Sequence, residues 1–147
     1  MSFELFEHTA DIGVRGFGKT IEESFQECAK AMTSIMFDLN TIQAKESIKV
    51  KVSSYDLDSL LVEWLNEILA QMDIAGLVFS EFKINKIENN ELEAELKGEK
   101  INLEKHHPKT QVKAATYSQM KVYQENGKWV SQCIVDVWNH LYMLWFS

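Results

Sequence analysis

Polar side chains interrupt an apolar, strand-like stretch close to the N-terminus. His8, Thr9 and Asp11 lie within four residues, and Gly13 follows two residues after Asp11. An imidazole, a hydroxyl and a carboxylate so close together are typical of a chain that leaves a strand and turns polar groups away from the core. Asp11 is therefore the first candidate functional residue, although a carboxylate here could also cap the backbone N–H groups of a turn. His8 could orient Asp11 through a hydrogen bond, or be a structural histidine.

A second carboxylate interrupts an apolar run near the other end of the chain. Asp136 lies between Val135 and Val137, within the apolar stretch 133–138. A charge at the end of a buried strand must be paired, ligated or exposed to water. Asp136 is therefore either a functional residue or an exposed carboxylate at a strand end.

The remaining metal-ligating residue types form no convincing site. His106 and His107 are adjacent, so on a strand they would point to opposite faces, and no third ligand follows at a suitable spacing. The two cysteines, Cys28 and Cys133, lie far apart and outside any Cys-x-x-Cys pair. This pattern indicates neither a disulfide framework nor a thiolate zinc site, and it favours a reducing cytoplasm.

Size and charge narrow the classes of function. The 147 residues are 46% hydrophobic, which is enough for one domain with its own core. Lysine and arginine number 15 against 22 aspartates and glutamates, for a formal charge of -7. This balance argues against a surface that grips nucleic acid and favours a basic protein partner. No signal peptide is recognisable, and the apolar tail is about half of the roughly 20 residues needed to span a bilayer, so no membrane anchor is expected.

Two helices are predicted from capping residues and apolar periodicity. Thr20 and Glu23 form a capping box, and the apolar stripe that follows ends near residues 37–40. Asp56 is a suitable N-cap for a longer helix that ends at Gly76.

Alternating or apolar runs predict strands around residues 3–5, 13–18, 48–52, 78–87, 92–96, 112–122 and 129–137. Asn89-Asn90 and Asn126-Gly127 suit tight hairpin turns, and residues 98–108 form a crossing loop or a short helix. The sequence therefore predicts a single two-layer α+β domain over residues 1–147. Its two main helices pack on a largely antiparallel β-sheet.

Taken in order, five short motifs resemble the archease family over about residues 3–137. They are His8-Thr9-Ala10-Asp11, Glu63-Trp64-Leu65-Asn66-Glu67, Gly98-Glu99, Lys113-Ala114-Ala115-Thr116-Tyr117 and Val135-Asp136-Val137. The resemblance implies a non-catalytic partner of the RtcB-type RNA ligase of tRNA splicing and RNA repair. Such a protein promotes guanylylation and multiple turnover of the ligase, and meets RNA only through it. No oligomeric state follows from the sequence.

The resemblance also implies a divalent-cation site. Carried over to this chain, its ligands are the carboxylates of Asp11 and Asp136 and the main-chain oxygen of Val137. Such hard oxygen donors suit calcium first, with magnesium or manganese as alternatives. Lys113 could contact the partner or a phosphate, or be a solvated strand lysine.

The sequence departs from the family pattern at two places, and two alternative functions stay open beside the one that the resemblance implies. Ser118 stands where the family typically has a histidine, and residues 138–147 form an apolar C-terminal extension. One alternative is a small metal-dependent phosphoester hydrolase that uses Asp11 and Asp136 to hold a cation. Another is a chaperone-like binding module without metal dependence.

Overall fold

The computed structural model describes residues 1–8 and 11–138, and of Glu7 and His8 it describes the main chain only. The expectations for Thr9 and for residues 139–147 lie outside the described residues. The strands are β1 (Ser2–His8), β2 (Asp11–Gly18), β3 (Glu46–Ser53), β4 (Leu77–Glu88), β5 (Glu91–Lys100), β6 (Val112–Ala115), β7 (Lys121–Glu125) and β8 (Lys128–Val137). The helices are α1 (Ile21–Met36), α2 (Leu57–Ala75) and α3 (Leu103–His106), with a 3₁₀ turn at Leu39–Thr41.

The strands form two sheets in which neighbouring strands are antiparallel. The larger sheet has the order β1-β2-β8-β6, and β7 pairs with another part of β8. The smaller sheet has the order β3-β5-β4. The predicted α+β class, with helices on antiparallel strands, is confirmed. The strands are divided between two sheets, which the sequence pattern alone did not indicate.

Helix α1 begins at the predicted cap and lies directly on β2. Thr20 Oγ1 accepts a hydrogen bond from the Glu23 N–H (3.1 Å), and the Glu23 carboxylate accepts one from the Lys19 N–H. A Cβ atom at Gly16 would lie 2.2 Å from the carbonyl oxygen of Ser24. The absence of a side chain at Gly16 therefore lets the helix backbone approach the strand.

Helix α2 runs between the two predicted end residues. Asp56 Oδ1 accepts hydrogen bonds from the Ser59 hydroxyl (2.6 Å) and from the Ser59 N–H (2.8 Å), and these two bonds, the hydroxyl bond first, lower the pKa of Asp56. The helix ends at Gly76, whose φ of +67° suits glycine. Trp64 is fully buried and donates from Nε1 to the carbonyl oxygen of Phe25 (3.0 Å), which ties α2 to α1.

Both predicted hairpin turns are confirmed. Asn89 and Asn90 have φ of 53° and 59°, and Asn126 and Gly127 have φ of 54° and 76°. Two consecutive residues with positive φ match the twist of antiparallel strands. These turns set the registers of β4 with β5 and of β7 with β8.

The predicted strand over residues 112–122 is two strands. β6 ends at Ala115 and β7 begins at Lys121, and both pair with β8. The chain leaves β6 through a turn in which Thr116 Oγ1 accepts a hydrogen bond from the Ser118 N–H (3.2 Å). Such local side-chain bonds compete with strand pairing, and an apolar pattern does not reveal them.

Candidate functional site

The two candidate carboxylates occupy neighbouring strands at one end of the larger sheet. β2 and β8 pair with Ile12 opposite Val135, and the next residues in the same register are Asp11 and Asp136. Residues directly opposite each other have Cβ atoms about 5 Å apart and share a face of the sheet. Ile12 packs against the core, so alternation places both carboxylates on the face away from it.

An aromatic ring covers the sheet beside this pair. Phe6 lies opposite Gly13 on the same face as Asp11, and a Cβ atom at Gly13 would lie 2.1 Å from Phe6 Cζ. The guanidinium of Arg15 is 4.6 Å from the centroid of the same ring, and it pairs with Glu4. The glycine that follows the N-terminal motif therefore provides room for a ring next to Asp11.

Lys113 lies beside Asp136 and belongs to β6, which pairs with β8 on the side opposite β2. The pairing of β6 with β8 shifts register between Val112 and Ala114, so Lys113 is the extra residue of a bulge. Its Nζ is 3.6 Å from Asp136 Oδ2 and 4.5 Å from the centroid of the Trp138 ring. The Asp136 side chain keeps 44% of its surface exposed, so water and ions can reach it.

The main chain of β8 directs the carbonyl of Val137 to the side of the strand where Asp11 lies. Ile134 accepts a hydrogen bond from the Thr116 N–H (2.9 Å), and the Trp138 N–H donates to Gln111 (3.0 Å). Even-numbered residues of β8 therefore turn their main-chain groups away from β2. Because these groups alternate along a strand, those of Val137 point toward the β2 side.

His8 lies beside the two carboxylates in the backbone pairing, since its Cα is opposite that of Asp11. Its side chain lies outside the described residues, so its suggested contact with Asp11 stays a prediction. Ser118 is exposed in the turn after β6, where its carbonyl accepts a hydrogen bond from the Ile134 N–H (3.1 Å).

The chemistry of the gathered atoms fits a hard cation. Two carboxylates and a carbonyl are oxygen donors of the kind that calcium and magnesium prefer, and water can complete the shell. Among the described residues, no group of three or more His, Cys, Asp or Glu side chains forms a metal cluster. A cation would therefore depend on both aspartates and on main-chain or water oxygens. Two carboxylates on one face of neighbouring strands repel each other, which favours a positive charge near them.

Side chains of α2 position β6, a role that sequence reasoning missed. Asn66 Oδ1 accepts a hydrogen bond from the Ala115 N–H (2.8 Å), and Asn66 Nδ2 donates to the Ala115 carbonyl (3.1 Å). The Tyr117 hydroxyl bonds Glu63 at 2.5 Å, and this carboxylate raises the pKa of Tyr117. The Glu-Trp-Leu-Asn-Glu motif thus contacts the strand that carries Lys113. Because the motifs that contain Asn66 and Ala115 are far apart along the chain, the sequence alone did not reveal this contact.

One of the two adjacent histidines, His106, belongs to a different, structural cluster. His106 is fully buried, and its Nδ1 accepts a hydrogen bond from the Asn102 N–H (3.0 Å), so Nε2 carries the proton that bonds Glu99 (3.0 Å). The Gln43 N–H, His106 and Lys105 together hold the pKa of Glu99 at about 2. The cluster joins β5 to α3 and to the segment before β3, apart from the carboxylate pair.

Residues 3–137 match the model of the Archease protein family (MTH1598/TM1083). Protein archease of Pyrococcus abyssi is 44% identical over 140 residues, which cover 92% of this chain and 98% of that relative. The chain belongs to the archease family. Protein archease of Methanopyrus kandleri is 35% identical over 140 residues, which cover 93% of this chain and the whole of that relative.

Solved structures similar to this archease-family chain agree on the fold. The solution structure of Methanobacterium thermoautotrophicum protein 1598 has a TM-score of 0.77 and 34% identity, covering 92% of this chain and 98% of that one. The crystal structure of an archease from Thermotoga maritima, described as a possible chaperone, has a TM-score of 0.62 over 90% of this chain and 95% of that one. At 19% identity, the second supports the fold alone.

In this archease-family chain, four of the sequence motifs supply the residues of the candidate site and of the contacts that support it. The first and last motifs supply Asp11 and Asp136, which the β2–β8 register brings together. The second supplies Asn66, and the fourth supplies Ala115 and Lys113. None of the helices in the part of the chain that the structure describes is long and apolar enough to cross a membrane.

Proposed function

We propose that this protein is a non-catalytic activator of a GTP-dependent RtcB-type RNA ligase and acts in the cytoplasm. It promotes guanylylation and repeated turnover of the ligase in tRNA splicing and RNA repair. A divalent cation, calcium in the first instance, binds Asp11, Asp136 and the carbonyl of Val137. The observation that carries the proposal is the juxtaposition of Asp11 and Asp136 in a chain of the archease family.

The position of the carboxylates supports a role at an interface. They lie at the end of a sheet and on the face away from the core, and Asp136 is nearly half exposed. Exposed oxygens at a sheet end can share a cation with groups of a second protein or with phosphate oxygens. A cation bound there supplies positive charge and open coordination positions for such groups.

Net charge supports a protein partner over direct binding of RNA. The formal charge of -7 disfavours contacts with phosphates and complements a basic protein surface. RNA meets this protein through the ligase, whose active site carries out the chemistry. Lys113 lies beside Asp136 and is the cationic group placed to contact the partner or a phosphate.

The test is guanylylation and multiple-turnover ligation by the cognate ligase, with RNA ends that carry a 2′,3′-cyclic phosphate and a 5′-hydroxyl. Wild-type protein should stimulate both reactions, and Asp11→Asn and Asp136→Asn should lose the stimulation while remaining folded by circular dichroism. Asp38→Asn is the matched control, because asparagine can retain the N-cap that Asp38 provides to the 3₁₀ turn.

The outcomes separate the proposal from its alternatives. Stimulation that survives in both variants would contradict the role of the carboxylate pair and favour a chaperone-like module. Phosphoester hydrolysis by the protein alone, abolished in Asp11→Asn, would favour a metal-dependent hydrolase instead. No stimulation by the wild-type protein would contradict the proposal altogether.

A further inference from the structure

Lys113 is held between a carboxylate and an aromatic ring at the candidate cation site. Its ammonium lies 3.6 Å from Asp136 Oδ2 and 4.5 Å from the centroid of the Trp138 ring. Both charged side chains are partly exposed, Lys113 at 37% and Asp136 at 44%. The bulge at Lys113 is what brings its side chain to Asp136, because Ala114 already occupies the position opposite that residue.

An ammonium group and a divalent cation compete for the same carboxylate oxygens. Both are drawn to the charge of Asp136, but a divalent cation carries twice the charge of an ammonium group and can also bind Asp11 and main-chain oxygens. A cation that binds both carboxylates would also repel the nearby ammonium. The Lys113 ammonium and a divalent cation therefore cannot both interact fully with the Asp136 carboxylate.

We propose that Lys113 is the resident counter-ion of Asp136, and that a divalent cation displaces it on binding. Cation binding then releases the Lys113 ammonium toward solvent, where it can meet an anionic group of the partner. This inference rests on the cation site of the proposed function and adds a coupling between that site and Lys113. Lys113 is a positioning residue in this scheme, because it acts through Asp136.

The aromatic ring that contacts Lys113 belongs to Trp138, which lies just beyond the residues matched by the family model. The family model matches residues 3–137, and Trp138 is the next residue. A cation over the face of a tryptophan ring is attracted to it without a carboxylate. Trp138 therefore adds to the attraction that holds the Lys113 ammonium beside Asp136 before a cation binds, and Trp138→Leu should weaken this hold.

The first experiment measures calcium affinity by isothermal titration calorimetry with the full chain. Lys113→Met keeps an unbranched side chain of similar length and removes its charge, so calcium should bind about two- to fivefold more tightly, the range expected for a partly exposed ion pair. Lys121→Met is the matched control, since Lys121 also lies 4.5 Å from a ring centroid, that of Tyr123, but has a different position on the sheet. Calcium affinity in this control should match the wild type.

The second experiment measures displacement itself. Full-length protein is treated with an amine-reactive ester with and without saturating calcium, and modification of Lys113 and Lys121 is compared by mass spectrometry. Modification of Lys113 should rise with calcium while that of Lys121 stays constant, and Trp138→Leu should raise Lys113 modification before calcium is added. Unchanged modification of Lys113 at saturating calcium would overturn the displacement, even if Lys113→Met altered the affinity.

Failure of this inference differs from failure of the site on which it rests. If calcium binds the wild-type protein and Asp11→Asn abolishes binding, but Lys113→Met does not tighten it, the cation site stands and the competition is refuted. If calcium binds neither the wild-type protein nor Lys113→Met, the cation site fails and the competition fails with it. Ligase stimulation by a protein that binds no calcium would then preserve the activator role alone.

Discussion

Asn66 and Ala115 form a closed pair of hydrogen bonds in which a side-chain amide mimics the edge of a neighbouring strand. The amide oxygen accepts from the Ala115 N–H, and the amide nitrogen donates to the Ala115 carbonyl. Ala115 ends β6 and pairs with Val135 of β8, next to Asp136. A helix thus holds the strand that determines where Lys113 meets the carboxylate.

Replacing Asn66 by alanine should destabilise the protein by about 1–3 kcal/mol, because the N–H and carbonyl of buried Ala115 both lose their partner. Urea denaturation measures the loss. Gln71→Ala is the control, since it removes an amide of the same helix that bonds the Glu67 side chain one turn away, and the change in stability should stay within about 0.5 kcal/mol. Equal stability of the two variants would show that the bonds to Ala115 contribute nothing specific.

Gly16→Ala should lower the free energy of unfolding by about 3 kcal/mol, because the new Cβ would meet the backbone of α1 at Ser24 and Cys28. Gly76→Ala is the comparison, because it adds a Cβ atom at a residue of positive φ without a steric clash with the described residues. Apart from its chain neighbours, no atom of the described residues lies within 4 Å of the Cβ position of Gly76, but its φ is +67°, so Gly76→Ala should cost about 1–2 kcal/mol. Thermal or urea unfolding of both variants checks that Gly16→Ala loses more stability than Gly76→Ala. A larger loss of stability in Gly76→Ala would contradict the prediction.

The stability contributed by Glu99 should decline in acid. Its pKa is about 2 in the folded protein against an ordinary value of 4.5, chiefly because its carboxylate accepts a hydrogen bond from the Gln43 N–H. Since the folded pKa is the lower one, the stabilisation is complete above about pH 4.5 and is lost as the pH falls toward about 2.

Glu99→Gln tests this pH dependence by urea unfolding from about pH 7 down to about pH 3. The variant should be less stable than the wild type at neutral pH, and the difference should shrink below about pH 4.5. Glu95→Gln is the control, because Glu95 makes a partly exposed ion pair with Lys97 (3.5 Å) and its substitution should matter little. A difference for Glu99→Gln that stays constant with pH would refute the assignment.

Calcium should stabilise the wild-type protein if the proposed cation site exists. At a concentration one hundred times the Kd, a ligand that binds only the folded state adds about 2.7 kcal/mol. Unfolding followed with calcium, and again after a chelator, measures this gain and its removal. Asp11→Asn should show neither, and a calcium effect that persists in that variant would locate the cation elsewhere.

Much of the fold follows from local patterns in the sequence. Caps at Thr20 and Asp56 and the turn residues Asn89 and Gly127 act within a few residues, so their chemistry can be inferred without the rest of the chain. The break between β6 and β7 could not be inferred in this way. It depends on hydrogen bonds made by Thr116, and one of these joins Thr116 Oγ1 to the carbonyl of Ile134 on β8 (2.8 Å).

In the candidate site too, some features could be inferred from the sequence and others depend on contacts between distant segments. Asp11 and Asp136 stand out in the sequence because each interrupts an apolar run, and family resemblance joined them before any register was known. The hydrogen bonds of Asn66 with Ala115 and the ion pair of Lys113 with Asp136 link segments that are far apart along the chain. Residue type and spacing cannot reveal such pairs, since they depend on the packing of α2 and on a one-residue bulge.

β8 lies between β2 and β6, and among the residues that the structure describes it is the last strand in chain order. During synthesis, β2 and α1 leave the ribosome long before the strand that separates β2 from β6. The three strands of the smaller sheet and both long helices precede it as well, so they can form while the larger sheet still lacks its middle. Until β8 arrives, β2 presents an unpaired edge to other chains. A nascent chain therefore acquires the carboxylate pair and loses this exposed edge in the same late step.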